Sequence, residues 1–553
     1  MRVTEWLARW RDRLLAPTGW WATSALSLLA FALRFPNLGR PHEFSFDETY
    51  YAKDAYSYLK FGYERAFVDD ANTRLLAGNT DVFKTTAEFV VHPPVGKWAI
   101  ALGEAAFGVN PFGWRIVMVV LGVAAVALTH RTMLRLSGNV YTAGLAGLFF
   151  AIDGLAIVMS RTALLDQTLM FFVLVTFFAL VRDRDYYAHT LTLREYLPRV
   201  PANRIVRPWR LLAIVTITLA FGTKWSALWF ALGFALLALW WDLRTRHDFG
   251  ISASRTWLAD LVWLGIASIA GITGYLATWV GWFRSTGAWD RTWTDGPQLL
   301  PQALRALLYY HQQALQFHTH LTSSHPYKAA PYWWPLMVRP TSFSYNTYSL
   351  GQQGCPTDSC SAEVLALGNI AIWWVASLVI VVLALHGLAK LLRLRISVRG
   401  HVWAPADQSR IRWDVTGPLL IGIAAGWLPW IYWHARTTFT FYSIVYAPFM
   451  FMLAAYGLQV FATRQVVTHI PTDPGVSQTA LDAYLQANLE EYVAVPPTAI
   501  TITTEELHEK RFLVAVLIVA FAVGVTVFFL PIWTGAVIPY SAWHARMWLP
   551  SWI

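Results

Sequence analysis

The chain has 553 residues, 56% of them hydrophobic and only 14% charged, with 30 tryptophans and a formal net charge of +10. A soluble protein needs about 25% charged residues to cover its surface, so this composition excludes an ordinary soluble enzyme and points to lipid. The basic residues are scattered over many loops rather than gathered in one patch, which argues against nucleic-acid binding.

Apolar runs of about 20 residues, enough to cross a bilayer as helices, recur at 20–38, 111–134, 139–158, 164–181, 208–223, 225–242, 257–282, 365–389, 416–434, 440–462 and 512–535. The expected fold class is an all-α integral membrane protein of about eleven spans with helical outer loops. Arg34, Phe35 and Pro36 follow the first run, with no small-residue cleavage site, so it reads as a retained span. Lys and Arg in alternate loops set the orientation. Arg2, Arg9, Arg11 and Arg13 precede the first span, and seven arginines lie between Arg182 and Arg210. Six basic residues lie between Lys390 and Arg412. These are placed in the cytoplasm with the N-terminus. Segments 39–110 and 283–364 and the tail from Pro531 are then outside. The chain divides into a catalytic membrane region, 1–463, a cytoplasmic insert, 464–511, and a last span with its outer tail, 512–553.

The first outer segment contains FSFDETYYAKDAYSYL, residues 44–59. Ser45 and Glu48 fit a capping box, and the spacing predicts a helix over 47–60 with Asp47, Tyr51, Asp54 and Tyr58 on one face. Acids in a first helical turn stabilise it through the dipole alone, so the pair Asp47 and Glu48 reads as capping, as chemistry, or as both. VHPPVGKW opens a second outer helix, where free N–H groups and Lys97 can hold a phosphate. An ordinary interfacial helix with a snorkelling Lys97 is the plainer alternative.

Ionisable residues within or at the ends of spans are functional candidates. In chain order they are Arg115, Asp153, Arg161, Asp166, Lys224, His434 and Arg436. All fall on the outer side, with Asp47, Glu48, His92 and Lys97, while the inner halves of the spans read as nearly free of charge. This one-sidedness predicts one charge-lined site at the outer leaflet. An excess of cations there implies an anionic ligand, most simply a lipid phosphate. A transporter or flippase, the rival from another class, needs polar residues across the whole depth. In the second outer segment, His318 and His320 at i, i+2 do not share a helical face, which argues against a metal pair. Trp333 and Trp334 suit an interfacial belt or a sugar or peptide platform. Cys355 and Cys360, the only cysteines, lie in this outer segment. An oxidising compartment favours their disulfide, against a pair of unlinked buried thiols. A short surface helix is expected at 477–491 of the insert, which carries no catalytic cluster.

Taken together, FDETYYAKDA, HPPVGKW, FGWRIV, SRTALLDQTLMFF, FGTKWSALWF, HPYKAAPYWWPLMVRP, LALGNIAIWW, FTFYSIVYAPFM and RMWLPSWI resemble the protein O-mannosyltransferases, and the tryptophan content and C-x4-C loop look like their actinobacterial branch. Two departures stand out. The second outer segment is too short for the MIR domain of eukaryotic members, and LGNI, with Ile370, replaces a motif often read as LGNP. The resemblance implies a GT-C fold. It also implies transfer of mannose, with inversion, from polyprenyl-phosphate-mannose to Ser or Thr hydroxyls of exported proteins at the outer face of the cell membrane. These acceptors are expected to be met at the translocation machinery. Asp47 matches the family's general base, Glu48 would orient the site, and Arg115 matches an arginine important for activity. Lys97, Arg161, Lys224 and His92 are the candidate donor-phosphate contacts, supported by Asp54, Asp166, Arg339 and Arg436. No cofactor is expected, and a divalent metal beside the acid pair is not favoured, because the cations can balance a phosphodiester. On this reading Glu48→Gln should be milder than Asp47→Asn. A GT-C enzyme moving a lipid-linked sugar onto a lipid or glycan, as aminoarabinose transferases do, is the nearest alternative.

Overall fold

A computed structural model describes residues 17–196, 206–252, 256–392, 396–398, 401–403, 410–471, 492–493 and 499–553. The basic N-terminal arm (Arg2, Arg9, Arg11, Arg13) and the helix expected at 477–491 lie outside the described residues. The helices are α1 (Pro17–Arg34), α2 (Glu48–Phe61), α3 (Ala71–Leu76), α4 (Val95–Phe107), α5 (Pro111–Ser137), α6 (Val140–Ile152), α7 (Gly154–Met159), α8 (Leu165–Tyr196) and α9 (Pro208–Phe221). They continue as α10 (Ala227–Asp248), α11 (Trp257–Thr278), α12 (Val280–Arg284), α13 (Gln302–His320), α14 (Ile370–Leu391), α15 (Trp413–Tyr432), α16 (Ala447–Ala462), α17 (Glu509–Thr534) and α18 (Tyr540–His544).

Each expected apolar run carries a helix. Seven of these helices are long and apolar enough to cross a membrane by themselves, and α6, α9 and α16 are shorter apolar helices. In α11 only 6% of the apolar window is buried, and Leu261, Leu264, Ile269 and Ile272 face outward. A contiguous apolar face of this kind has lipid as its natural solvent, and the chain is a multi-pass membrane protein. Local signals explain the boundaries. Pro111 opens α5 behind Asn110, whose side chain accepts from Gly113 N, and Gly138, at φ +71°, ends it. Asn139 then caps α6.

Several bounds differ from the sequence reading. The run 139–158 breaks at Asp153, which caps α7 through Ala156 N (2.9 Å) and accepts from Asn369 N and Trp373 Nε1. The run 365–389 begins as the end of a strand, and its helix starts only at Ile370, behind Asn369. The segments expected outside are not purely helical. Antiparallel strands β1 (Arg65–Phe67) and β2 (Phe83–Ala87) pair within residues 39–110. In the second such segment, β3 (Thr341–Tyr348) and β4 (Cys360–Ala366) pair, and the tail adds a third strand, β10 (Ile538–Pro539), beside β4. Between them in sequence, β5 (Ile396–Val398) and β6 (His401–Trp403) form a hairpin, and β7 (Thr463–Pro471), β8 (Tyr492–Val493) and β9 (Ala499–Leu507) give the insert a three-stranded sheet. Cys355 and Cys360 form a disulfide that closes the β3–β4 connection.

The core runs between the spans. α5 packs on α1, α4, α6 and α8, and α16 packs on α6, α14 and α17. Trp114, Trp334, Trp373, Trp533 and Trp552 are fully enclosed, so Trp334 is a core residue, whereas Trp333 stays exposed.

The spans also carry a charge network that the sequence reading missed. Arg207 grips Asp183 and Asp242 with four hydrogen bonds, and Arg210 adds three more to the same carboxylates. Arg246 extends the network to Asp260. Asp183 lies 17 residues beyond Asp166 on α8, about 25 Å along the helix, so this network clamps the far ends of α8 to α11.

Candidate active site

The acidic pair at the start of α2 splits into two environments. Glu48 is fully enclosed, and Arg115 is 1% exposed. Glu48 Oε1 accepts from Arg115 Nε (2.8 Å) and Ala163 N (2.9 Å). Its Oε2 accepts from Arg115 Nη2 (2.7 Å) and Ser45 N (2.8 Å). The remaining Arg115 donors go to the carbonyls of Leu38, Pro41 and Glu43 and to Ser45 Oγ. Glu48 thus joins α2, α5 and the turn before α8, and only the half of the capping box in which Glu48 reaches back to Ser45 N is formed. Arg115 spends its donors inside the protein, on residues 38–48, rather than on a ligand space.

Asp47 sits at the N-cap position with no capping bond, half-buried. Its carboxylate accepts no hydrogen bond from any described residue. Burial pushes its pKa up to about 6, with Lys224 pulling down and Asp166 pushing up. A carboxylate left unengaged near pH 6 is suited to accept a proton.

A cavity of 410 Å³ opens beside it, between α10, α13, α15 and the turn after α15. Its polar end carries His92, Asp166, Lys224, His318, Arg436 and Tyr442. Asp47 is not among the lining side chains. It stands next to this end, close enough to feel Lys224 and Asp166. Lys224 Nζ donates to Asp166 Oδ2 at 2.7 Å and lies over the Tyr442 ring. Arg436 Nη2 donates to His318 Nδ1 (3.1 Å), while His318 Nε2 faces Val91 O (3.1 Å). That arrangement assigns the proton to Nε2. Among the described residues Arg436 has no carboxylate partner, and its buried Nε has no partner at all. His92 and His318 are both pushed well below the usual imidazole range, His318 to about 4, by burial first and then by neighbouring cations. Cations act on both imidazoles, and an anion beside them would relieve their effect. A second, apolar space between α10 and α15 adjoins this cavity, sharing Trp229, Ala425, Pro429 and Trp433 as walls and lined also by Gly233, Ile421 and Leu428.

The structure brings some of the expected phosphate contacts to this cavity and holds others away. Lys224 and His92 line it, and Arg436, expected only as a supporting residue, is its least engaged cation. Lys97 is fully enclosed. It ion-pairs with Glu64 and donates to His92 O (2.9 Å), and Val95 N at the same helix start donates to Gly222 O. The N-terminus of α4 is therefore closed, and Lys97 braces the His92 wall. Arg161 donates to the carbonyls of Arg34, Pro36 and Asn37 and pins the end of α1. Arg339 binds the carbonyls of Pro326, Ser551 and Ile553, anchoring the C-terminal tail. Asp54 is buried on α2, with its pKa pushed up to about 8 by burial. His318 faces the cavity and His320 is exposed, so they do not form a pair. No group of three metal-ligating side chains occurs among the described residues.

An unengaged acid beside a cation-lined cavity and an apolar space, on a multi-pass helical bundle, fits a GT-C glycosyltransferase, the class that the fold and family matches show. Residues 24–288 match the family described as dolichyl-phosphate-mannose-protein mannosyltransferase, and residues 303–552 match the C-terminal four TMM region of protein-O-mannosyltransferase. The chain is 32% identical to the polyprenol-phosphate-mannose–protein mannosyltransferase of Mycobacterium tuberculosis, over 98% of this chain and 92% of that one. It is 28% identical to the Corynebacterium glutamicum protein of the same name, over 84% and 81%. The fold matches the yeast (S. cerevisiae) protein O-mannosyltransferase Pmt1-Pmt2 complex bound to the sugar donor, with a TM-score of 0.67 at 12% identity, covering 97% of this chain and 92% of that one. The chain belongs to the protein O-mannosyltransferase family.

Proposed function

We propose that this enzyme transfers mannose from a polyprenyl-phosphate-mannose donor to Ser or Thr hydroxyls of exported proteins, at the outer face of the plasma membrane and with the N-terminus in the cytoplasm. The prenyl chain lies in the apolar groove between α10 and α15. The phosphate sits at the polar end of the cavity, against Lys224 and Arg436, where charge developing on the leaving phosphate is stabilised. The acceptor oxygen attacks the anomeric carbon from the opposite face as the bond from that carbon to the phosphate oxygen breaks. Asp47 takes the hydroxyl proton, the electron pair leaves with the phosphate, and the configuration inverts. Glu48 and Arg115 hold the segment that presents Asp47. Metal independence belongs to the same proposal. Both Glu48 oxygens are taken by Arg115, Ala163 and Ser45, so the acid pair does not offer two free carboxylates to a cation.

The observation that carries this reading is the unengaged Asp47 beside a cationic cavity that adjoins an apolar groove. The purified protein in nanodiscs, given radiolabelled polyprenyl-phosphate-mannose and either a Thr-containing peptide or a lipid acceptor, tests it. Mannose on the peptide supports the proposal. Label only on the lipid moves the chain to the other GT-C class.

A further inference from the structure

Phe46, the residue before Asp47, has φ +52°. That left-handed region is strained for any side chain bulkier than glycine. Elsewhere among the described residues nine glycines and four other residues, Asn37, Asp290, Met337 and Gln353, take positive φ; Phe46 is the one aromatic residue in the set. At this position the fold keeps a large ring.

The ring is partly buried and contacts four others drawn from three segments. Phe343 of β3 stacks on it at 5.2 Å between centroids. His325, Phe439 and Phe441 meet it edge-on at 5.8, 5.5 and 5.6 Å. Phe441 in turn packs edge-on against Tyr442 at 4.9 Å, and the Lys224 ammonium lies over the Tyr442 ring at 5.3 Å. A continuous row of rings therefore links the residue before Asp47 to the cation between α9 and α10. Ser45, on the other side of Phe46, is tied to Glu48 and Arg115. Phe46 and Glu48, the two neighbours of Asp47, are therefore both held by contacts, while the Asp47 side chain makes no capping bond.

We propose that Phe46 is a positioning residue for the transfer step: its ring, seated in the box of His325, Phe343, Phe439 and Phe441, holds a strained turn that sets the spacing between the Asp47 carboxylate and the Lys224 ammonium. This rests on Asp47 being the proton acceptor. Tightly packed aromatic pairs resist displacement, and a reacting group misplaced by about 1 Å costs on the order of a hundredfold in rate.

Phe46→Gly tests it, because glycine adopts the same φ without strain and removes only the ring. Phe46→Leu, which refills the box without a flat ring, is its companion. The expected result for Phe46→Gly in nanodiscs is a kcat lower by about ten- to a hundredfold with donor KM within about twofold. The acid limb of its pH–rate profile should move down from about pH 6 as Asp47 gains water, with Lys224, Asp166, Tyr51 and Tyr442 still its charged and titratable neighbours. Phe46→Leu should fall between it and the native enzyme. A folded Phe46→Gly protein with unchanged kcat and acid limb overturns the proposal. So does loss of donor binding in both variants, which makes the box merely structural. A fully active Asp47→Asn protein refutes the base itself, a failure distinguishable from either.

Discussion

Replacing Glu48 by Gln separates holding the site from doing its chemistry. Glu48 is fully enclosed and takes four hydrogen bonds, two of them from the equally buried Arg115. Gln keeps one acceptor oxygen, which can still serve Arg115 Nε and Ala163 N. Its amide then points N–H groups at Arg115 Nη2 and Ser45 N, so two hydrogen bonds become donor–donor conflicts. The guanidinium is also left buried without a counter-charge. Breaking a buried pair in this way costs about 3–5 kcal/mol. At about 2 °C per kcal/mol for a large cooperative unit, the apparent melting midpoint should drop by about 6–10 °C. The capping logic alone treats Glu48→Gln as mild, and the buried pair adds a cost in stability that this logic does not foresee. Thermal unfolding in detergent, followed by tryptophan fluorescence, measures the drop. Glu48→Gln/Arg115→Gln should recover part of it, because the second substitution removes the orphaned charge. A Glu48→Gln protein with native stability and no turnover would show that Glu48 acts in the reaction and that the structural role is wrong.

The pH–rate profile should show one acid limb. Asp47 must be ionised to accept a proton and its pKa is pushed up to about 6, so kcat/KM should fall about tenfold per pH unit below 6 and stay flat from pH 7 to 8; His92 and His318, both pushed below this window, add no limb, and a profile still rising through pH 8 contradicts the assignment. Arg436→Gln removes one charge-assisted contact of about 1.5–3 kcal/mol, so donor affinity should weaken by about ten- to a hundredfold in a binding titration, and unchanged affinity would clear Arg436 of phosphate contact. Turnover should survive EDTA, and activity lost to EDTA and restored by Mg²⁺ or Mn²⁺ would overturn the metal-independent reading.

The spans were legible because bilayer length imposes a run of about 20 apolar residues, and every expected run holds a helix. The register of β4 was not legible, because all seven of its residues are buried and a strand covered on both faces loses its alternation. The acidic pair was legible as a site, but the division of labour within it was not. Asp47 and Glu48 are neighbours in sequence, and only the fold brings Arg115, 67 residues on from Glu48, to one of them. Lys97 and Arg161 read as phosphate ligands because a sequence shows a cation without its partner. Glu64 and three backbone carbonyls supply those partners in space. Arg436, expected only as a supporting residue, lines the cavity without a carboxylate partner among the described residues, a placement that only the fold shows. The box around Phe46 had no sequence signal, since positive φ at phenylalanine is not written in residue order.

The central claim is that Asp47 is the general base, and Asp47→Asn in reconstituted enzyme tests it most directly. The Asp47 side chain makes no capping bond and Asn matches its shape, so folding and donor binding should persist. Mannosyl transfer to a Thr-containing peptide should fall by about 10²–10⁴-fold, because an amide cannot take the proton. Near-normal transfer by a folded, donor-binding Asp47→Asn protein would contradict the account.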